Sequence, residues 1–223
     1  MNDTDWWAVA SEHGMTDALI AAARSARVEL ADADLSVPDP DPSDVTLTSA
    51  RGAVNVRLHP VDRVFAVRIA APSHTVAIGR TDDLAQVIAV HEAWRSGASL
   101  DDLHASFPFL ESGAAARAFE SGNEVEFRWD SYFSDPEYAE IHPLLRAAHS
   151  HPRLARLYPS VSMFTTVRFA LSTTDTDAGE IRIRVERDTY KISSSLTSER
   201  YEVATIAEAV AVAATLLPDS GIA

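Results

Sequence analysis

The chain has 223 residues, 46% hydrophobic and 23% charged, with 33 acidic residues against 19 basic ones and a formal net charge of −14. That is enough apolar material for one sizeable α+β domain or two small ones, and too much for wholesale disorder. The acid surplus repels phosphate backbones, no apolar run reaches the roughly 20 residues that cross a bilayer, and the lack of cysteine removes disulfides, thiolate nucleophiles and cysteine zinc sites.

Asp3 and Asp5 stand where a secretory signal would carry a basic patch. The expectation is a soluble, cytoplasmic protein, a monomer or homodimer, with neither nucleic acid nor membrane among its partners. In chain order, Leu19, Ile20 and Ala23 predict a helix over Thr16 to Ala26, capped by Thr16 after Gly14. Asp32 to Asp44, with Pro38, Pro40 and Pro42 between aspartates, predicts an extended acidic loop. Val54, Val56 and Leu58 alternate with Asn55 and Arg57, and Phe65, Val67 and Ile69 with Ala66 and Arg68, so both runs predict half-buried strands. Thr75 to Ile78 predicts a third. Thr81 then caps a helix to about Trp94, with Asp82 and Asp83 suited to its first turn. Ser96 to Asp135 reads as two or three short helices anchored by Leu100, Leu103, Phe107, Phe109 and Leu110.

The same order then recurs. At an offset of 125, Pro143 to Ser150 matches Ala18 to Ser25, and Ile181 and Ile183 fall on Val56 and Leu58. Tyr190 and Ile192 fall on Phe65 and Val67, and the helix from Thr205 to Leu217 falls on that ending at Trp94. A first strand over Phe164 to Leu171 needs a shift. This predicts two pseudo-symmetric α-β-β-β-β-α halves with antiparallel sheets, residues 1–95 and 138–223, joined by a helical insert over 96–137.

Motifs for a phosphate-cradling loop, a dinucleotide fold or a nucleophile elbow are missing, and no cofactor is expected. The histidines cluster only at His142, His149 and His151, a spacing unlike a zinc site, so no metal is expected either. More informative are Arg57 and Arg68, with Arg168, Arg182 and Arg184, which project opposite the apolar rows as a basic stripe on an acidic protein. Guanidinium forks suit carboxylates and phosphates, which makes these five candidate ligand-binding residues. The competing reading is simple pairing with Glu180, Glu186 and Glu202. Among the aromatics, Trp94 and Trp129 are expected in cores, while adjacent Trp6 and Trp7 cannot both face one.

Several blocks carry a resemblance: Glu92-Ala-Trp-Arg-Ser-Gly-Ala-Ser-Leu-Asp-Asp-Leu103, Phe107-Pro-Phe109, Val125 to Trp129, His151-Pro-Arg-Leu-Ala-Arg-Leu-Tyr-Pro159 and Val167-Arg-Phe169. Over about residues 85–217 the chain resembles an actinomycete family of unknown function labelled natural-product biosynthesis proteins. That family continues Tyr-Pro with Phe and then Ser-His. Here the stretch is Tyr158-Pro-Ser-Val-Ser-Met163, with Met163 in the histidine's place, and the following loop is reduced to Thr173 to Gly179.

The resemblance implies an accessory or tailoring protein that binds a ribosomally made precursor peptide or its modifying enzymes. If it closed thioether rings without a metal, histidine would suit the acid and base steps, with His151, Arg153, Tyr158 and His142 as candidates. Two other readings stand beside this one. A non-catalytic chaperone or adaptor of secretion-chaperone-like architecture would present an apolar groove or sheet edge. An immunity protein would use its acid surplus to capture a basic partner.

Overall fold

The computed structural model describes residues 5–30, 35–36 and 43–218, and the chain divides into two units, Met1–Glu120 and Ser121–Ala223. In the first, two helices, α1 (Trp6–His13) and α2 (Met15–Ala26), precede β1 (Leu35–Ser36), β2 (Asp44–Ser49), β3 (Gly52–His59), β4 (Val64–Ala70) and β5 (Thr75–Thr81). Then come α3 (Leu84–Arg95), α4 (Leu100–Ser106), β6 (Leu110–Glu111) and α5 (Ala114–Glu120). The strands form an antiparallel meander in the order β1 to β6. Period-two alternation puts Val45, Leu47, Val54, Val56, Phe65, Val67 and Ile69 on one face, all buried. They share a core with Met15, Leu19 and Ala22 of α2 and with Leu84, Val87 and Ile88 of α3. Each such side chain contributes about 1.5–3 kcal/mol on leaving water.

The second unit opens with α6 (Glu124–Ser134), a 3-10 turn over Pro136–Ile141 and α7 (His142–His149). The sheet strands β7 (Tyr158–Ser162), β8 (Thr166–Ala170), β9 (Glu180–Val185), β10 (Tyr190–Ser194) and β11 (Arg200–Val203) follow, and then α8 (Ile206–Thr215). This sheet is again an antiparallel meander, in the order β11 to β7. Its core gathers Trp129, Leu145, Phe169, Ile181, Ile183, Ile192, Ala209 and Ala213. The fold is therefore α+β, as expected.

Several boundaries differ from the sequence expectation. The insert over 96–137 is not a separate piece, because its anchors join two different cores. Leu100, Leu103 and Leu110 bury in the first, with β6 pairing to β5, whereas Trp129 buries in the second. Thr81 does not cap α3: it closes β5, and its Oγ1 accepts from Asp83 N–H (3.2 Å). Asp83 caps instead, accepting from Ala85 N–H at 2.8 Å. Likewise α2 starts at Met15 after Gly14, ahead of Thr16. Phe164 is in a turn and not in a strand. The expected acidic loop lies mostly outside the described residues, apart from β1 and Asp44. Trp6 and Trp7 both pack half-buried against the first core, with the Arg63 guanidinium 4.6 Å over the Trp7 ring.

A helix, five meandering strands and a helix follow one another in each unit, one strand more than the four expected in each half. In β3 and β4 the offset of 125 keeps which face each residue takes but not the pairing, and in β5 it reverses the face, since outward Ile78 falls on inward Val203. It maps the Val56–Val67 pair onto Ile181 and Ile192, yet Ile192 pairs with Ile183, two residues further on. A two-residue slip preserves facing, which is why periodicity alone aligns the halves without gaps.

Candidate functional site

The outward face of the first sheet is concave. Cross-strand pairing arranges it in rows: Asp44, Arg57, Ala66 and Arg80 in one, then Thr46, Asn55, Arg68, Ile78 and Glu111 in the next. With Phe109 at the rim, these residues line a hollow of about 820 Å³. Small Ala66 stands between two guanidinium-bearing neighbours, which leaves the floor low. Ile78 is 53% exposed, so the face also offers an apolar contact. Three arginines against two carboxylates make this lining net cationic, in a chain of net charge −14.

Each guanidinium is oriented by a neighbour. Arg57 holds both carboxylate oxygens of Asp44, Arg80 pairs with Asp62 at 3.0 Å, and Arg68 Nε donates to Thr75 Oγ1 at 3.1 Å. Thr46 Oγ1 donates to Asn55 Oδ1 at 2.9 Å, which fixes the amide's orientation. Exposed ion pairs of this kind contribute about 0–1 kcal/mol to folding, so their main effect is to set direction.

The five arginines expected as one stripe fall on two different sheets. Arg57 and Arg68 line the hollow, whereas Arg168, Arg182 and Arg184 lie on the outward face of the second sheet. There Ser160, Arg168, Arg182, Ser193 and Arg200 form one row, and Ser162, Thr166, Arg184, Lys191 and Glu202 the next. Much of this second face is internally paired. Arg182 engages Glu180, while Lys191 and Arg184 converge on Glu186 at 2.8 and 3.9 Å. The Lys191 contact holds the Glu186 carboxyl below its usual range and the lysine above its own. Arg168 differs, with a buried Nε that has no hydrogen-bond partner among the described residues.

The four residues considered for ring closure are spread over separate tasks. Arg153 donates from Nη1 to the Ala214 carbonyl (3.0 Å) and from Nη2 to those of Leu217 (3.1 Å) and Pro218 (2.8 Å), closing the C-terminal end of α8. His151 Nδ1 accepts from the Arg153 backbone N–H at 3.3 Å. His142 Nε2 donates to the Tyr132 carbonyl at 2.9 Å, and His142 and His149 flank the ring of Phe133. Tyr158 belongs to a further cluster, its ring 6.0 Å from the Arg128 guanidinium. Arg128 Nη2 donates to Tyr132 Oη at 2.7 Å, and that oxygen also accepts from Val161 N–H at 2.9 Å.

Burial raises the Tyr158 phenol, with Arg128 opposing the rise, so Tyr158 is a hydrogen-bond donor and not a base near neutral pH. Because the folded value lies above the ordinary 10.0, its contribution to stability is full below about pH 10 and is lost as pH rises through the folded value. Phenolate absorbance is therefore expected to show one tyrosine ionising late in the wild type, and that step absent in Tyr158→Phe.

Residues 123–221 match the model of a family of unknown function, DUF6193. The match falls on the second unit and leaves out the Trp94 to Gly97 block and the whole concave sheet. No curated protein and no solved structure matches the chain. Among the described residues, no group of three or more His, Cys, Asp or Glu is arranged to hold a metal ion, and no helix is long and apolar enough to cross a membrane.

Sequence reading missed Arg80, Asn55 and Thr46 on the first face. Arg80 had a usable signal, since it stands two residues beyond Ile78 and continues the alternation of β5. Arg128 and Tyr132 had a weaker one, the i, i+4 spacing on a helix.

Proposed function

We propose that the protein is a non-catalytic binding protein, an accessory to the maturation of a ribosomally made natural-product peptide, and that the first unit's concave sheet face holds an acidic, extended segment of that peptide. The observation that carries this reading is the spacing of cations on the face. Arg57 and Arg80 stand two strands apart in one row, about 10 Å at the usual strand separation, with Arg68 in the next row. Each guanidinium is held toward a different neighbour, Arg57 by Asp44, Arg80 by Asp62 and Arg68 by Thr75, so the face offers three separate cationic points, which suits a chain carrying several acids.

The rest of the lining supports the same occupant. Asn55 and Thr46 offer amide and hydroxyl groups to a peptide backbone, while Ile78 and Phe109 accept apolar side chains between the acids. A hollow of about 820 Å³ is within the 300–1,000 Å³ of ordinary ligand sites. Ring-closing chemistry is not part of the proposal, since Arg153 and His151 are engaged with the backbone.

Fluorescence anisotropy with a labelled peptide of alternating Glu and Leu tests it. Arg68→Gln is expected to weaken binding by about tenfold, as for one lost charge-assisted contact, and the Arg57, Arg68 and Arg80 triple glutamine variant to abolish it. The dependence on salt should flatten with each charge removed. Equal affinity for wild type and the triple variant would show the face is not the site.

A further inference from the structure

The β7–β8 turn is built from the wrong residues for its shape. Thr165 N–H donates to the Ser162 carbonyl at 3.3 Å, closing a β-turn with Met163 and Phe164 at its centre. Both are left-handed, with φ of 51° and 55°. Two successive positive values suit Asn-Gly, because a Cβ crowds the following carbonyl there. Met163 is nevertheless 89% exposed and Phe164 53% exposed. Bulky apolar side chains are thus held in a disfavoured backbone and then left largely in water.

The surroundings give the tip a direction. The Phe164 ring lies 5.5 Å from that of Tyr138, which packs edge-on to Tyr132 at 4.7 Å. Beside them a hollow of about 440 Å³ is lined by Glu137, Tyr138, Glu140, Ile141 and Phe164. This lining has an apolar floor, two carboxylates and no cation. Met163, flexible and polarizable, can adapt to a varied contact surface.

We propose that the Met163–Phe164 tip and the adjoining hollow dock a basic segment of a partner protein, one that places an apolar side chain in the hollow and Lys or Arg beside Glu137 and Glu140. Charge complementarity selects the occupant. A second copy of this chain is a poor match, since its 33 acidic residues outweigh its 19 basic ones. An anionic lipid surface is repelled by the same carboxylates. Strain kept at an exposed apolar site is the mark of a contact that repays it elsewhere. The inference concerns the second unit and does not depend on the acid-binding role of the first.

The test uses the full chain, a labelled peptide of alternating Lys and Phe, and the double variant Met163→Asn/Phe164→Gly. The double variant should keep or raise the melting temperature while its affinity falls at least about tenfold, some 1.4 kcal/mol. Glu137→Gln/Glu140→Gln should weaken binding severalfold and flatten its salt dependence. Undiminished affinity in the double variant, or a lowered melting temperature, overturns the proposal. So does wild-type self-association in sedimentation that the double variant abolishes, because the occupant would then be a second copy.

Discussion

Arg153→Met is expected to lower the stability of the second unit by about 2–3 kcal/mol in urea denaturation. The side chain donates to three backbone carbonyls at the end of α8, those of Ala214, Leu217 and Pro218. Hydrogen bonds from a charged donor are worth about 1.5–3 kcal/mol, and a cation at a helix C-terminus adds about 0.3–1 kcal/mol. Water can reach the Pro218 carbonyl in the variant, which holds the total below a simple sum. Arg51 does the same work in the first unit. Its Nη1 donates to the Trp94 and Ala98 carbonyls at 2.8 and 3.1 Å, and its guanidinium stacks 3.8 Å over the Trp94 ring. A catalytic arginine would give the opposite result, unchanged stability with lost activity.

Gly79→Val is expected to destabilise the first unit by about 2–3 kcal/mol and to weaken acidic-peptide binding with it. A Cβ on Gly79 would stand 2.4 Å from the Phe109 carbonyl oxygen, 2.9 Å from its ring and 3.1 Å from Leu110. The first of these is backbone and cannot rotate away. Overpacking of this kind typically costs about 1–3 kcal/mol, and valine adds two methyl groups to the clash. The strand that must move is β6, which carries Glu111 at the edge of the hollow and buries Leu110. Urea denaturation and anisotropy on the same variant read the two effects separately.

The sequence made the regular parts of the fold legible because their signals are local. Alternation in β3, β4, β8 and β9 placed five arginines on outward faces, and the helix expected from Thr205 does begin there, held by a reciprocal cap with Glu208. β7 was hidden by Pro159, which demotes a strand wherever its N–H is needed. Here it is not needed. β7 is an edge strand, and Val161 N–H, two residues on and so directed alike, points away from β8 to the Tyr132 hydroxyl. The hold of Arg153 on α8 was hidden for a different reason: the carbonyls it bonds are more than sixty residues away, and no short spacing reports them. The two predicted halves already put Arg57 and Arg68 on one sheet and Arg168, Arg182 and Arg184 on another; periodicity sees faces and not partners, so it could not tell which of them would be paired.

The most direct test of the central claim is amide chemical-shift mapping of the full chain with the alternating Glu and Leu peptide. The account requires perturbations concentrated at Asn55, Arg57, Ala66, Arg68, Ile78 and Arg80, and their loss in the triple glutamine variant. Perturbations confined to the second unit, or none at peptide excess, would contradict it.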